Sequence, residues 1–133
     1  MKYLLDTNII IFWIKGRFNI ADKITEVGAT NCYISEVTVA ELRYGVECSL
    51  PDVIEEKRKR LENFLENLQI VPFTVAIEIY AKEKARLRVA GELIPDFDLL
   101  IGATSVSQGM KMVTNNSKHL SRLEGIDLED WAR

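Results

Sequence analysis

Short apolar runs alternate along the chain with stretches in which apolar residues recur every three or four positions, which predicts alternating strands and helices. Lys2–Leu5 reads as a short buried strand. Thr7 to about Lys15 follows as a helix with Gly16 as its stop, and Asn19–Val27 as a second helix ended by Gly28. Cys32–Ile34 is the second strand, and Ser35 caps a helix running to about Glu47. Pro51 and Asp52 are expected to open a long charged helix reaching Leu68, since proline suits a first helical turn. Ile70 and Val71 form the third strand, closed by Pro72. Thr74 is expected to cap a helix to Ala90 that Gly91 ends, and Asp96 to cap the helix that carries Asp98 and stops at Gly109. Lys111–Thr114 is the fourth strand, Asn115–Ser117 a polar loop and His119–Leu123 a turn of helix, before a short segment near Leu128 and Trp131. The alternation implies an α/β fold with a central, mostly parallel sheet and helices on both faces. Ligands in such sheets bind beyond the carboxyl ends of the strands.

Three acids interrupt this pattern inside apolar runs: Asp6 in LLDTNIIIFWI, Glu41 in ISEVTVAELRYG and Asp98 in IPDFDLLIGA. Carboxylates are rarely buried unless something pairs with them, and an isolated one tends to take up a proton. Asp6 falls at the end of the first strand, and Asn115 and Asn116 at the end of the fourth. Glu41 lies about two turns into the helix after the second strand, and Asp98 in the first turn of its own. All of them can reach one crevice. Taken singly, each has an ordinary role: Asp6 and Asp98 at helix starts, Glu41 on a solvated helix face, Asn116 in a turn. Taken together, the three acids repel one another unless a cation offsets them. Hard oxygen ligands suit Mg²⁺ or Mn²⁺, and such an ion lowers the pKa of a bound water and polarises a phosphoryl oxygen. That chemistry fits a chain whose only histidine is His119 and which has little material for a Ser/His/Asp or Cys/His mechanism. Helical spacing places Thr38, Glu41 and Gly45 on one face and Asp98, Gly102 and Ser105 on another. Each acid is therefore expected to look out along a stripe of small or polar residues. Leu99, Leu100, Ala103 and Val106 should turn into the core.

Composition narrows the picture. A chain of 133 residues, 47% hydrophobic and 28% charged, is expected to form one domain over 1–133 with a real core. A net charge of −3 and a pI near 5.3 argue against a general polyanion binder, so any nucleic-acid surface must be local. Cys32 and Cys48 make neither a disulfide framework nor a zinc pattern and read as reduced thiols. Asp6 and Asn8 break the apolar start, and no small-residue cleavage site follows, so it is not read as a signal peptide. Ile9–Ile14 is too short to span a bilayer. The expected location is the cytoplasm.

At DTN, VAEL, PDFDLLIGA and VTNN the chain resembles the PIN-domain nucleases, and among them the VapC-type toxins of bacterial toxin–antitoxin pairs. The four elements occur in order, at matching spacing, over essentially the whole chain. The resemblance implies a three-layer α/β/α sandwich and a Mg²⁺- or Mn²⁺-dependent endoribonuclease. Its site would use Asp6, Glu41 and Asp98 as metal ligands. Many members carry a further acid in a threonine-x-aspartate element after the fourth strand. Here that element reads Thr114, Asn115, Asn116, so Asn116 stands where the acid would be, and one principal metal is expected. Thr7 and Asn8 match positions where a hydroxyl or amide orients Asp6 or a metal-bound water. The resemblance further implies an RNA substrate, with transfer RNA a candidate, a homodimer, and a VapB-type antitoxin whose tail covers the site.

Lys57–Arg60 points round most of a helix and reads as solvated surface. Lys82, Lys84, Arg86 and Arg88 are expected to flank an RNA groove through phosphate contacts, while Lys118, His119 and Arg122 follow the site loop and are better placed for substrate. Ile9, Phe12, Trp13, Leu42, Tyr44 and Val46 offer apolar surface either for the core or for a groove that accepts an antitoxin helix. Two other readings compete. One is a non-catalytic PIN-like protein- or RNA-binding module, supported by Asn116. The other is an aspartate-nucleophile phosphatase, which would want an acid at the position of Asn8.

Overall fold

Leu4 and Leu5 are both fully buried, yet they point to opposite faces of the same strand. Leu5 belongs to one apolar cluster with Ile9, Ile10 and Ile34, and Leu4 to another with Leu87, Leu99 and Ile101. Met112 and Val113 divide between the same two clusters. A sheet with core on both sides is the consequence, and its strands read as continuous apolar runs because neither face meets water.

The computed structural model describes residues 1–133. In chain order the elements are β1 (Tyr3–Leu5), α1 (Thr7–Ile14), α2 (Ile20–Val27), β2 (Cys32–Ser35), α3 (Glu36–Glu47), α4 (Ile54–Glu66), β3 (Gln69–Val71), α5 (Ile77–Ala90), α6 (Asp96–Gln108), β4 (Lys111–Val113), α7 (Ser117–Leu120) and β5 (Leu128–Glu129). The strand order is β3-β2-β1-β4-β5. Every pair is parallel, β1 aligning Tyr3 with Cys32 of β2 on one side and with Lys111 of β4 on the other. The sheet is thus wholly parallel, not only mostly so. The chain winds outward from β1 to β3 and then returns to the other side of β1, so a crevice opens between the carboxyl ends of β1 and β4.

Several predicted boundaries shift. The helix expected from Pro51 begins at Ile54 and ends at Glu66, short of Leu68. The N–H of Val53 bonds to the carbonyl of Leu50, which makes Leu50–Val53 a β-turn with Pro51 at its second position, where its fixed φ fits. Thr74 lies within a 3₁₀ turn over Phe73–Ala76, and α5 starts after it with no side-chain cap. Asp96 is not a cap. Pro95 holds that position, and the Asp96 carboxylate instead takes Lys84 Nζ at 2.8 Å and the Tyr80 hydroxyl at 2.9 Å, which hold it below the usual carboxylate range. The last helical turn covers Ser117–Leu120, earlier than His119–Leu123. The final segment pairs with β4 as β5, and Trp131 closes that edge against Tyr3. No helix is long and apolar enough to cross a membrane.

The expected stripe beside Asp98 is not open. Gly102, Ala103, Thr104 and Ser105 are all buried, because α6 packs against neighbours on nearly every side. A Cβ on Gly102 would stand 2.9 Å from Leu123 Cδ2 and 3.1 Å from Leu120 Cδ2. Gly102 therefore lets α6 and α7 approach, and it brings the residues on α7 up to Asp98. An alanine there gains roughly 1 kcal/mol of helix propensity against the strain of pushing two buried leucine methyls. Gly102→Ala should accordingly be close to neutral. Gly102→Val adds bulk and loses that propensity, and should cost about 1–3 kcal/mol. Urea unfolding checks both, with the midpoint moving and the slope unchanged.

Candidate active site

Asp6 follows β1 and is the N-cap of α1, so the residue that turns the chain also faces the crevice. It is only 6% exposed. Its Oδ1 accepts the N–H of Thr7 at 2.8 Å, and its Oδ2 accepts the hydroxyl of Thr114 at 2.7 Å. Burial pushes its carboxyl above the usual range, while the bonds from Thr114 and Thr7 pull the other way. The Thr114 oxygen also accepts the N–H of Asn116 at 2.9 Å. One hydroxyl thus ties the end of β1 to the loop that leaves β4.

Glu41 lies on α3 facing α1. The Thr7 hydroxyl donates to Glu41 Oε1 at 2.7 Å and lies 3.1 Å from the buried Thr38 hydroxyl. Thr38 and Glu41 do share a face, as their spacing predicted. Thr7 differs from its expected part: its backbone N–H serves Asp6, and its hydroxyl serves Glu41. The Asn8 amide reaches Asn115 Oδ1 at 3.4 Å across the mouth of the crevice.

Asp98 is half-buried in the first turn of α6. Its carboxyl is raised above the usual range first by burial, then by the negative charges of Asp6 and Glu41, with His119 opposing. Asp6 and Glu41 are therefore both near enough to Asp98 to repel it. Asn116 Nδ2 donates to Asp98 Oδ2 at 3.4 Å and lies 3.4 Å from His119 Nδ1. His119 Nδ1 is 3.9 Å from the same Asp98 oxygen. Asp6, Glu41, Asp98 and Asn116 thus gather at one crevice.

The donor set is hard oxygen with one imidazole, and no Lys or Arg side chain bonds to any of the three acids. No three His, Cys, Asp or Glu side chains stand close enough together to hold one ion among them. Thr7 holds Glu41 aside, and Asn116 holds Asp98. The set still fits a Mg²⁺-like ion, which takes one or two carboxylates directly and keeps several waters.

Residues that the sequence reading left out complete the site. Thr114 carries the bond that joins its two halves, and its place one residue past β4 and two before Asn116 is the only sequence signal for that role. Glu83, buried on α5, takes Arg86 through two bonds of 2.8 Å and the N–H of Glu124 at 2.7 Å. It anchors the segment after α7 to α5. A charged residue in the middle of a charged helix gives no hint of this.

The expected basic flank is mostly occupied within the molecule. Lys82 pairs with Glu78, Lys84 with Asp96 and Arg86 with Glu83. Arg122 donates to the carbonyls of Glu92 and Leu93. Lys118, exposed beside Asn116, keeps no such partner. On the long helix, Arg58 pairs with Glu47 and Glu55, and Arg60 with Glu56, in keeping with a solvated surface. Ile9 and Leu42 are core residues and Tyr44 is exposed. Trp13, Leu42 and Val46 line an open apolar groove with Leu61 and Phe64, and Lys15 and Lys57 lie on its rim.

Comparison with known proteins places this geometry among relatives. The PIN domain family model matches residues 3–126. A tRNA(fMet)-specific endonuclease VapC from Salmonella typhimurium is 31% identical over 132 residues, 98% of each chain. A ribonuclease VapC2 from Haemophilus influenzae is 35% identical over 133 residues, again 98% of each. Among solved structures, VapBC2 from Rickettsia felis bound to a DNA fragment from its promoter superposes with a TM-score of 0.87 at 32% identity, covering 98% of this chain and 99% of the other. DNA-bound VapBC from Salmonella typhimurium gives 0.89 at 32% identity, with 98% of both chains covered.

Burying Asp98 beside two other carboxylates has a measurable cost. Because the Asp98 pKa is raised, its ionisation opposes folding. The cost is absent below the usual 3.8, enters as pH rises through the raised value, and is complete at neutral pH. Asp98→Asn should therefore stabilise the metal-free protein at pH 7, read as a rise in Tm. The gain should vanish near pH 3.5. An unchanged or lower Tm at pH 7 would show that the ionised Asp98 carboxylate does not strain the fold.

Proposed function

The chain belongs to the PIN-domain family, and within it to the VapC-type proteins; from that premise we propose that it is a metal-dependent endoribonuclease, the toxin of a toxin–antitoxin pair. The observation that carries this reading is the gathering of Asp6, Glu41 and Asp98 at the crevice between β1 and β4, where each is held by a hydroxyl or amide and none is neutralised by a lysine or arginine. Such a site is suited to binding a cation and a phosphodiester together.

Asp6, Glu41 and Asp98 would hold Mg²⁺, or Mn²⁺ in its place, one or two of them directly and the rest through the ion's waters, with Asn116 assisting. When bound, the ion supplies an activated water and offsets charge on the phosphodiester. The remaining work belongs to the chain. Thr114 and the Thr7 N–H fix the Asp6 carboxylate, and the Thr7 hydroxyl fixes Glu41, so that donors are oriented before substrate arrives. Asn116 donates to Asp98 without adding a charge, which leaves the site one unit less negative than an acid there would. Lys118 at the loop is free to contact a phosphate.

The Salmonella relative's name makes transfer RNA a candidate substrate, and cleavage of it would inhibit translation. A VapB-type antitoxin is the expected partner, by analogy with the VapBC complexes. The groove of Trp13, Leu42, Val46, Leu61 and Phe64 offers it an apolar seat. A homodimer in the cytoplasm completes the reading. Cys32 and Cys48 are both free thiols.

The direct test is cleavage of total cellular RNA by purified protein freed of any partner, with Mg²⁺, Mn²⁺ and EDTA lanes. Discrete fragments should need the metal, and Asp6→Ala or Asp98→Ala should reduce their rate by roughly 100-fold or more. Undiminished cleavage by these variants would sink the assignment. Metal binding without any cleavage would favour the non-catalytic binding module.

A further inference from the structure

His119 is the chain's only histidine, and the reaction described above gives it no part. It lies on the short helix α7, with its side chain 38% exposed toward the crevice that Asp98 faces. Its ring atom Nδ1, Asn116 Nδ2 and Asp98 Oδ2 form a small triangle with sides of 3.4, 3.4 and 3.9 Å. Two donors on one ion with bonds of about 2.1 Å stand at most roughly 4.2 Å apart, so all three separations are short enough for these groups to reach a shared ion. An amide nitrogen is no ligand, but half a turn of the Asn116 side chain puts its carbonyl oxygen at that corner. The set is then a carboxylate, an amide oxygen and an imidazole nitrogen.

Resting on the metal-dependent reading above, we propose that His119 supplies a nitrogen ligand to the ion held at Asp98, and that this makes the chain select Mn²⁺ over Mg²⁺. The physical reason is donor softness. Mg²⁺ takes oxygen almost exclusively, whereas imidazole binds first-row transition ions, whose affinities rise from Mn²⁺ upward. Asn116 works in the same direction. A neutral oxygen in place of an acid weakens the purely electrostatic hold on Mg²⁺, and the coordinate bond from His119 offsets the loss only for an ion that accepts nitrogen. Asp98 anchors the ion, and His119 determines which ion is kept.

The test uses the 133-residue chain, with Mn²⁺ and Mg²⁺ as probes and binding, not activity, as the readout. Titration calorimetry should give the wild type at least about a tenfold preference for Mn²⁺. His119→Ala should lower Mn²⁺ affinity about tenfold and leave Mg²⁺ affinity within about twofold. His119→Glu, which returns an oxygen donor, should strengthen Mg²⁺ binding and abolish the preference. Pulsed electron paramagnetic resonance of the Mn²⁺-loaded wild type should show hyperfine coupling to a directly bound nitrogen, lost in both variants. A merely structural role for His119 would not produce that coupling. Its absence from the wild type, or an unchanged Mn²⁺/Mg²⁺ ratio in His119→Ala, overturns the inference. Asp98→Asn separates this failure from failure of the broader reading. If Asp98→Asn alone abolishes uptake, the metal site stands without His119. If the wild type takes up neither ion, metal dependence fails and the inference fails with it. Circular dichroism confirms folding of each variant, which the exposure of His119 favours.

Discussion

The hydrogen bond from Thr114 Oγ1 to Asp6 Oδ2 is 2.7 Å long and spans 108 residues of chain. It joins the carboxyl ends of β1 and β4, the two strands between which the winding of the sheet reverses. A carboxylate as buried as Asp6 costs several kcal/mol if it is left without partners. Thr114 and the Thr7 N–H supply them, and the geometry that satisfies Asp6 also sets the rest of the site. The Thr114 oxygen holds the N–H of Asn116, Asn116 reaches Asp98, and the far side of Thr7 reaches Glu41. Each neighbour of Asp6 thus carries the constraint to another acid.

These acids are arranged at the expense of stability. Asp98 is held above its usual pKa by burial and by Asp6 and Glu41, so the folded chain keeps a repulsion that an apolar or amide residue would relieve. Strain of this kind is expected where binding matters more than stability. Elsewhere the molecule pairs its charges. Arg58 with Glu47 and Lys84 with Asp96 form short ion pairs on the surface, each worth little in water, and Arg86 pairs with the buried Glu83. The contrast between paired surface charges and an unpaired acidic crevice marks the site out by electrostatics alone.

Packing sets the second constraint. Gly102 leaves no side chain between α6 and the leucines at 120 and 123, which brings Asn116 and His119 up to Asp98. Glu83 and Arg86 secure the same segment from α5. The edge of the site that bears its unusual residues, an amide and an imidazole, is therefore held by groups that never touch it.

Much of this was legible in the chain. Apolar runs separated by helical periodicity determined the order of strands and helices, because a parallel strand buried on both faces has to be apolar throughout. Acids inside those runs disclosed Asp6, Glu41 and Asp98, because a carboxylate in such a setting needs a reason. Local signals were less certain where two roles compete for one residue type. Pro51 fits both a first helical turn and a β-turn, and Asp96 fits both a cap and an ion pair with Lys84. Only the fold chose between them, through contacts such as Lys84 to Asp96 that lie far apart in sequence. The same holds for Thr114, Glu83 and the closed stripe at Gly102. What the sequence by itself determined were properties carried by periodicity and local polarity: the alternating elements, the two apolar faces and the misplaced acids. Tertiary structure alone decided which partner each polar group found, because a hydrogen bond or a close packing contact depends on separations of a few ångströms between residues that the chain keeps many tens of positions apart.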